Sequence, residues 1–301
     1  MDEKLHHTLC PVCNSKSINP LLTVKDYIVS NEDFVIWHCS SCTLRFTQDA
    51  PVEAAMGKYY KSPDYISHTN IDKGFLNKMY QRVRNYTVQN KSKLVISSTA
   101  TLQGKLLDVG CGTGDFLNAI KKEGWVVTGL EPDEEARTLA KKLYDLNVFD
   151  STSINSLSIN SFDAITLWHV LEHVHDLHGY VDQLKELIKS NGKMFIAVPN
   201  YQSLDADIYR LHWAAYDVPR HLYHFTPKAM HMLMEKHSLS ITAKKSMPFD
   251  SFYISLLSSK YKNGHSSWLP AFISGLRSNA KAAFDINKCS SIIYIVEKTN
   301  G

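Results

Sequence analysis

The sequence has no apolar run approaching the roughly 18 residues that a membrane-spanning helix needs, so no membrane span is expected. Its first residues, Met1-Asp-Glu-Lys-Leu-His-His7, hold no apolar h-region of the kind a secretory signal carries. A cytoplasmic protein with reduced thiols is the expectation. Charge of one sign is scarce as well. With 33 Lys and Arg against 30 Asp and Glu, the net charge is only +3. Nucleic-acid binders usually show a concentrated basic face, so nucleic acid is not the expected partner. What remains is ordinary for a soluble globular protein: 301 residues, 44% hydrophobic and 21% charged. That is enough for one large or two modest domains with a substantial core.

The stretch around which the rest is organised is Lys105-Leu-Leu-Asp-Val-Gly-Cys-Gly-Thr-Gly114. An apolar run, Leu106-Leu-Asp108-Val109, reads as a strand, and Asp115-Phe-Leu-Asn-Ala-Ile120 reads as the first turns of a helix. A strand, a tight glycine turn and a helix hold a mononucleotide-like ligand at the carboxyl end of a parallel sheet. Gly110, Gly112 and Gly114 follow G-x-G-x-G, not the dinucleotide pattern G-x-G-x-x-G. Asp115 stands where that pattern wants its third glycine, and a carboxylate there would repel a pyrophosphate. A ligand with a cationic sulfonium and a zwitterionic tail fits better. Trp125-Val-Val-Thr-Gly-Leu-Glu131 reads as the second strand, and its terminal acid, 23 residues after Asp108, is placed to accept both ribose hydroxyls.

These residues, D-V-G-C-G-T-G and then L-E-P, resemble the class I S-adenosylmethionine (SAM)-dependent methyltransferases, of the type-11 or type-23 kind. The resemblance covers about 105–301 and implies an α/β fold, a doubly wound Rossmann-like sheet of seven strands whose last strand is antiparallel. The remaining pattern agrees. Strands are expected near 146–149, 161–168, 192–198, 239–247 and 290–297, and helices near 114–123, 133–144 and 176–189. Thr226-Pro227 should cap and begin a further helix. Inserts fall near 199–225 and 249–285. The second contains Trp268-Leu-Pro-Ala-Phe-Ile-Ser-Gly-Leu276, apolar enough for a partner face or a lipid-like substrate; ordinary packing is the reading taken.

Ahead of this core, Cys10-Pro-Val-Cys13 and Cys39-Ser-Ser-Cys42 form two C-x-x-C pairs separated by 25 residues. Two such knuckles complete a tetrahedral structural zinc site, Cys10, Cys13, Cys39 and Cys42, in a zinc-ribbon over residues 1–50. Two disulfides or free thiols are the alternatives, and a reducing compartment disfavours the first. Residues 51–104 form a helical connector, helical from Lys73 to about Ser98. The resemblance implies a lid over the cofactor there, with Tyr65 or His68 touching the methionine moiety; interdomain packing is the plainer alternative.

For the chemistry, the resemblance implies Asp108, Gly110, Gly112, Gly114, Glu131, Trp168 and His169 about the cofactor. Trp168-His169-Val-Leu-Glu172-His173 ends the fourth strand and resembles the H-V-L-E-H of that broad kind of methyltransferase. Enzymes methylating exocyclic amines of bases usually carry N/D-P-P-Y/F here, and it is absent. Asp150 lies near the adenine-reading position but comes early. A second cluster is Trp213-Ala-Ala-Tyr216-Asp217-Val-Pro-Arg220-His221-Leu-Tyr223-His224-Phe-Thr226. Arg220 suits a two-pronged hold on an anionic substrate group. His169, His221 and His224 offer bases, and Tyr223 a hydroxyl. The alternative is a buried network that holds the insert shut. A zinc-ribbon ahead of such a core also resembles sugar C-methyltransferases. The expected function is methyl transfer to a small molecule, a sugar nucleotide or other anionic metabolite, at oxygen or carbon. The alternatives are an RNA or protein methyltransferase that reads its target with the ribbon, and a scaffold that binds cofactor without turnover.

Overall fold

The structure, a computed structural model, describes residues 4–60, 75–99 and 101–299. The N-terminal segment forms β1 (Lys4–Leu5), β2 (Ile18–Lys25), β3 (Asp33–Cys39), β4 (Arg45–Thr47) and β5 (Ala50–Pro51). A single helical turn, α1 (Glu53–Met56), precedes the long α2 (Phe75–Ser98). Next come β6 (Lys105–Val109), α3 (Asp115–Lys122), β7 (Val126–Leu130), α4 (Glu134–Tyr144) and β8 (Val148–Phe149). They are followed by β9 (Phe162–Trp168), α5 (Leu177–Leu187) and β10 (Ile188–Pro199). The chain continues through α6 (Leu204–Tyr209), β11 (Tyr223–His224), α7 (Pro227–Lys236) and β12 (Leu239–Ser246). It closes with α8 (Pro248–Asn263), α9 (Trp268–Phe284) and β13 (Ser291–Lys298).

Seven strands make the main sheet, in the order β12-β13-β10-β9-β6-β7-β8. β8, β7, β6, β9 and β10 run parallel, and β13 lies antiparallel between β10 and β12. This is the doubly wound, Rossmann-like sheet expected. Strand alternation sends Leu107, Val109, Ile165, Leu167, Ile196 and Val198 into one apolar layer. Leu106, Ala164, Phe195, Ala197, Ile293 and Ile295 go into the other. Both faces are covered, which is why β6 and β13 read as nearly continuous apolar runs. Caps fix the helix starts. Asp133 accepts from the Ala136 amide at 2.7 Å, and Thr226 accepts from the Ala229 amide at 3.0 Å with Pro227 at the first position.

The ribbon does not stand apart. Its sheet runs β11-β4-β3-β2, and β11 is contributed by the insert after β10. Tyr223 pairs with Phe46 and His224 with Arg45. Ile36, Leu44 and Phe46 are fully buried, in the same apolar cluster as Trp213, Phe225, Leu233 and Met234. In the second insert, small residues let α8 and α9 approach closely. Ser251 donates to the Gly275 carbonyl at 3.2 Å, and Ser255 lies 3.4 Å from Ser274. The reading of Trp268–Leu276 as ordinary packing is corrected: Trp268, Leu269, Phe272 and Leu276 are each more than half exposed, because α9 turns its serine and glycine face inward.

Candidate active site

β12 runs parallel to the central strands, so the segment after it reaches the same sheet edge as the ends of β6, β7 and β9. The glycine turn lies at that edge. Gly110, Gly112 and Gly114 all take positive φ, +69°, +54° and +83°. A Cβ on Gly110 would come 2.6 Å from Val170 Cγ2, and one on Gly114 2.5 Å from Leu146 Cδ1. A Cβ on Gly112 would meet nothing within 4 Å. The outer glycines are therefore demanded by packing, and the middle one leaves its backbone open to a ligand. Glu131, just past β7, accepts from the Gly112 amide through Oε2 at 2.8 Å and from the Asp133 amide through Oε1 at 3.0 Å. Burial raises its pKa, and those two amides pull against the rise.

Asp108 is buried in β6 and accepts from Thr166 Oγ1 at 2.6 Å. Burial pushes its carboxyl up to about 7, although Thr166 and the Lys91 ammonium oppose this. Lys91 comes from α2, with its Nζ 4.3 Å from the centre of the Trp168 ring. Arg84, a turn and more earlier on α2, pairs with Asp115 and reaches Thr113 Oγ1 at 3.4 Å. Tyr144 also donates to Asp115, at 2.7 Å. The acid that opens α3 is thus neutralised by the helix lying over the glycine turn.

His169 follows β9 with φ +60°. Its Nε2 lies 2.9 Å from Asp250 Oδ2, and its Nδ1 3.3 Å from Glu172 Oε1. Burial lowers the imidazole's pKa, but the hydrogen bond to Asp250 and then Glu172 outweigh it and carry the value up to about 9. At neutral pH this ring is an imidazolium held between two carboxylates, a cation rather than a ready base.

A methyltransferase-domain family model, that of the type-23 class, matches residues 79–244, more than half of the chain. The chain belongs to this methyltransferase family. It is 34% identical over 143 residues to the ubiquinone biosynthesis O-methyltransferase of Coxiella burnetii, across 45% of this chain and 58% of that one. The enzyme of the same name from Haemophilus ducreyi is 32% identical over 107 residues, across 32% and 45%. The chain thus spans about half the length of these relatives. Two solved structures share the fold. The Burkholderia thailandensis 1,6-didemethyltoxoflavin-N1-methyltransferase superposes with a TM-score of 0.51 at 14% identity, covering 87% of this chain and 99% of that one. The plantazolicin methyltransferase has a TM-score of 0.50 at 18% identity, covering 80% and 93%. Among the described residues, no helix is long and apolar enough to cross a membrane.

Of the residues read from sequence, the structure brings Asp108, the three glycines, Glu131, Trp168 and His169 to one edge. Tyr65 and His68 lie outside the described residues. Asp150 caps a 3-10 turn, accepts from Thr152 and meets Arg137 at 3.2 Å. The second cluster divides. Arg220 is 1% exposed, and its guanidinium donates to Asp26 at 2.9 Å, to Asp217 at 2.7 Å and to the Tyr59 carbonyl at 2.9 Å. It joins the ribbon to the insert, and its donors are not free to grip a substrate anion. Tyr223 donates to the His175 carbonyl at 3.2 Å. His224 lies 3.3 Å from Thr47 Oγ1, and burial drives its pKa well down. Both sit in the ribbon seam, as the buried-network alternative has it. His221 alone turns back toward His169, through His173 and Glu172.

Three contributors gave little sequence signal. Lys91 sits on a helix of mixed pattern, and Thr166 within an apolar strand. Asp250 follows β12 by four residues, and its position past a parallel strand's end was the available clue.

The four ribbon cysteines are unbridged, and their sulfur atoms all lie within 4.8 Å of one another. The Cys10–Cys42 and Cys13–Cys39 sulfurs are 3.4 and 3.6 Å apart. Thiolates at about 2.3 Å from a tetrahedral zinc stand about 3.8 Å apart, so the cage fits that ion.

Proposed function

We propose that this chain transfers a methyl group from SAM to a small-molecule acceptor at an oxygen or an acidic carbon. The observation carrying this reading is the open Gly112 backbone with the Glu131 carboxylate bonded to its amide, at the sheet edge where His169 also lies. When bound, SAM supplies an activated methyl on sulfur, so the protein mainly has to position the acceptor and take its proton. Glu131 and the turn hold the nucleoside part, while Asp108 supports the turn from beneath. Lys91 and Arg84 bring α2 across the opening, which shields the site from water. His169, Asp250 and Trp168 form the wall beside the reacting end. The acceptor's proton leaves beside the adjoining cluster of Glu172, His173 and His221. Tyr223, His224 and Arg220 stay outside this role, because their polar atoms are engaged by the His175 carbonyl, by Thr47 and by Asp26 and Asp217 respectively. The case for an anionic acceptor such as a sugar nucleotide rested largely on Arg220 and falls with it.

We also infer that Cys10, Cys13, Cys39 and Cys42 hold one structural zinc. The names of the relatives, which methylate small molecules, support the acceptor class. Label transfer tests it. The protein is incubated with methyl-labelled SAM and host lysate split into small-molecule, RNA and protein fractions. Label is expected in the small-molecule fraction. Label confined to RNA or protein would replace this reading with a macromolecular one, and bound cofactor without any label in any fraction would favour a scaffold.

A further inference from the structure

Beside His169 is a cluster whose parts are odd for a plain core. Glu172 is fully buried, yet neither carboxylate oxygen has a hydrogen-bond partner among the described residues. His169 Nδ1 is close, 3.3 Å from Oε1, but not aligned as a hydrogen bond. The His169 imidazolium faces Oε1 only, so Oε2 is left with neither a hydrogen bond nor an ion pair among the described residues, and a buried carboxylate is costly unless cations meet it.

The neighbouring imidazoles are arranged to meet that need. His173 Nδ1 lies 3.0 Å from the Arg220 carbonyl and 3.1 Å from the Tyr60 hydroxyl, which can accept as well, and His221 Nδ1 lies 2.9 Å from the Ala215 carbonyl. A carbonyl only accepts, so each Nδ1 carries the proton and each Nε2 keeps its lone pair. Backbone carbonyls orient metal-binding histidines in this way. The Leu222 amide donates to the Glu172 carbonyl at 2.8 Å and locks the two segments in register. Ligand atoms of Glu172, His173 and His221 all lie within 4.8 Å of one another. Adjacent ligands at about 2.1 Å from a metal stand roughly 3.0–3.4 Å apart, so small side-chain rotations close the set. Asp217 is also near, 3.9 Å from His221 Nε2, but it is held by Arg220. His173 is the part-exposed member of the three.

We propose that Glu172, His173 and His221 bind a divalent first-row cation, such as Mn2+ or Fe2+. Two imidazoles and one carboxylate on one side of an ion suit such metals and leave other positions open. On the methyl-transfer reading, on which this role rests, an acceptor hydroxyl would take an open position and the cation would lower its pKa; its proton would pass to water, its oxygen would form the new bond to the methyl carbon, and the methyl–sulfur bond would break with S-adenosylhomocysteine leaving. Binding itself does not depend on that reading.

The test uses the full chain with its ribbon zinc counted by metal analysis, titrated with Mn2+ and followed by electron paramagnetic resonance. One Mn2+ per chain is expected beyond the zinc. Glu172→Gln should weaken it by about 100-fold, as should His173→Asn, whose amide still donates to the Arg220 carbonyl. Thermal melts and SAM calorimetry check that each variant is folded. No Mn2+ binding by the native protein, or binding unchanged in both folded variants, overturns the inference. Mn2+ bound at this site without label transfer would instead count against the methyl-transfer reading alone.

Discussion

Arg220 separates two views of this protein. As an anion clamp, its loss would raise KM and leave the fold alone. As a buried strut, its loss would unsettle the fold. The structure argues for the strut. Arg220→Met removes the guanidinium and keeps most of the aliphatic stem, so Asp26, itself 1% exposed, and Asp217 lose their cation. The Tyr59 carbonyl loses its donor from Arg220 too. Breaking a buried pair from one side typically costs about 3–5 kcal/mol. For a chain of this size that lowers Tm by roughly 5–8 °C. The pH dependence adds a signature. Burial raises the pKa of Asp26, but Arg220 and the Ser30 amide outweigh it, and its folded pKa lies below the ordinary 3.8. A carboxylate depressed in this way adds stability above its unfolded pKa and loses it as pH falls through the folded one. The gap between wild type and variant should therefore be full near neutrality and narrow below about pH 4. Adding Asp26→Asn to the variant should recover part of the loss. Urea titrations at several pH values read all three effects. A deficit under about 1 kcal/mol at neutral pH, with KM raised, would refute the strut and restore the clamp.

Other outcomes follow from the glycine turn, Asp108 and the ribbon. Gly110→Ala should melt well below wild type, because its Cβ would meet Val170 at 2.6 Å, whereas Gly112→Ala should lose about 1–2 kcal/mol to its positive φ yet bind SAM much more weakly. Melts paired with calorimetry separate them, and equal melting points would defeat the distinction. Burial holds the Asp108 carboxyl near 7 against the Thr166 hydroxyl and the Lys91 ammonium, with Glu131 adding to the rise. The folded protein then holds a proton that the unfolded chain releases, so cofactor-free stability should decline from about pH 4 to pH 7, by up to about 4 kcal/mol. Asp108→Asn should flatten that decline, and an unchanged slope would be contrary. Stripping the ribbon metal with a chelator should lower the melting point of the whole chain, because β11 and β4 share a sheet. A ribbon that melts alone, leaving the methyltransferase core at its original Tm, would contradict that coupling.

The chain's own order of residues determined the sheet and the turn. Three glycines after an apolar strand, and an acid at the end of the next, are local signals that need no distant partner. Continuous apolar runs gave away strands buried on both faces, and the two C-x-x-C pairs marked four sulfurs that the fold gathers within 4.8 Å of one another. Tertiary structure decided what the polar residues beyond β9 and β10 do. In sequence, Arg220, His221, Tyr223 and His224 look like one reactive cluster. Only pairing of β11 with β4 turns Tyr223 and His224 into the ribbon seam, and Asp26 and the Tyr59 carbonyl, far away in the chain, join Asp217 in taking up Arg220. His169 changed character for the same reason: two carboxylates, one three residues on and one on α8, make it a cation. Charge and burial at a site are sums over neighbours from many segments, and those sums exist only once the chain is folded.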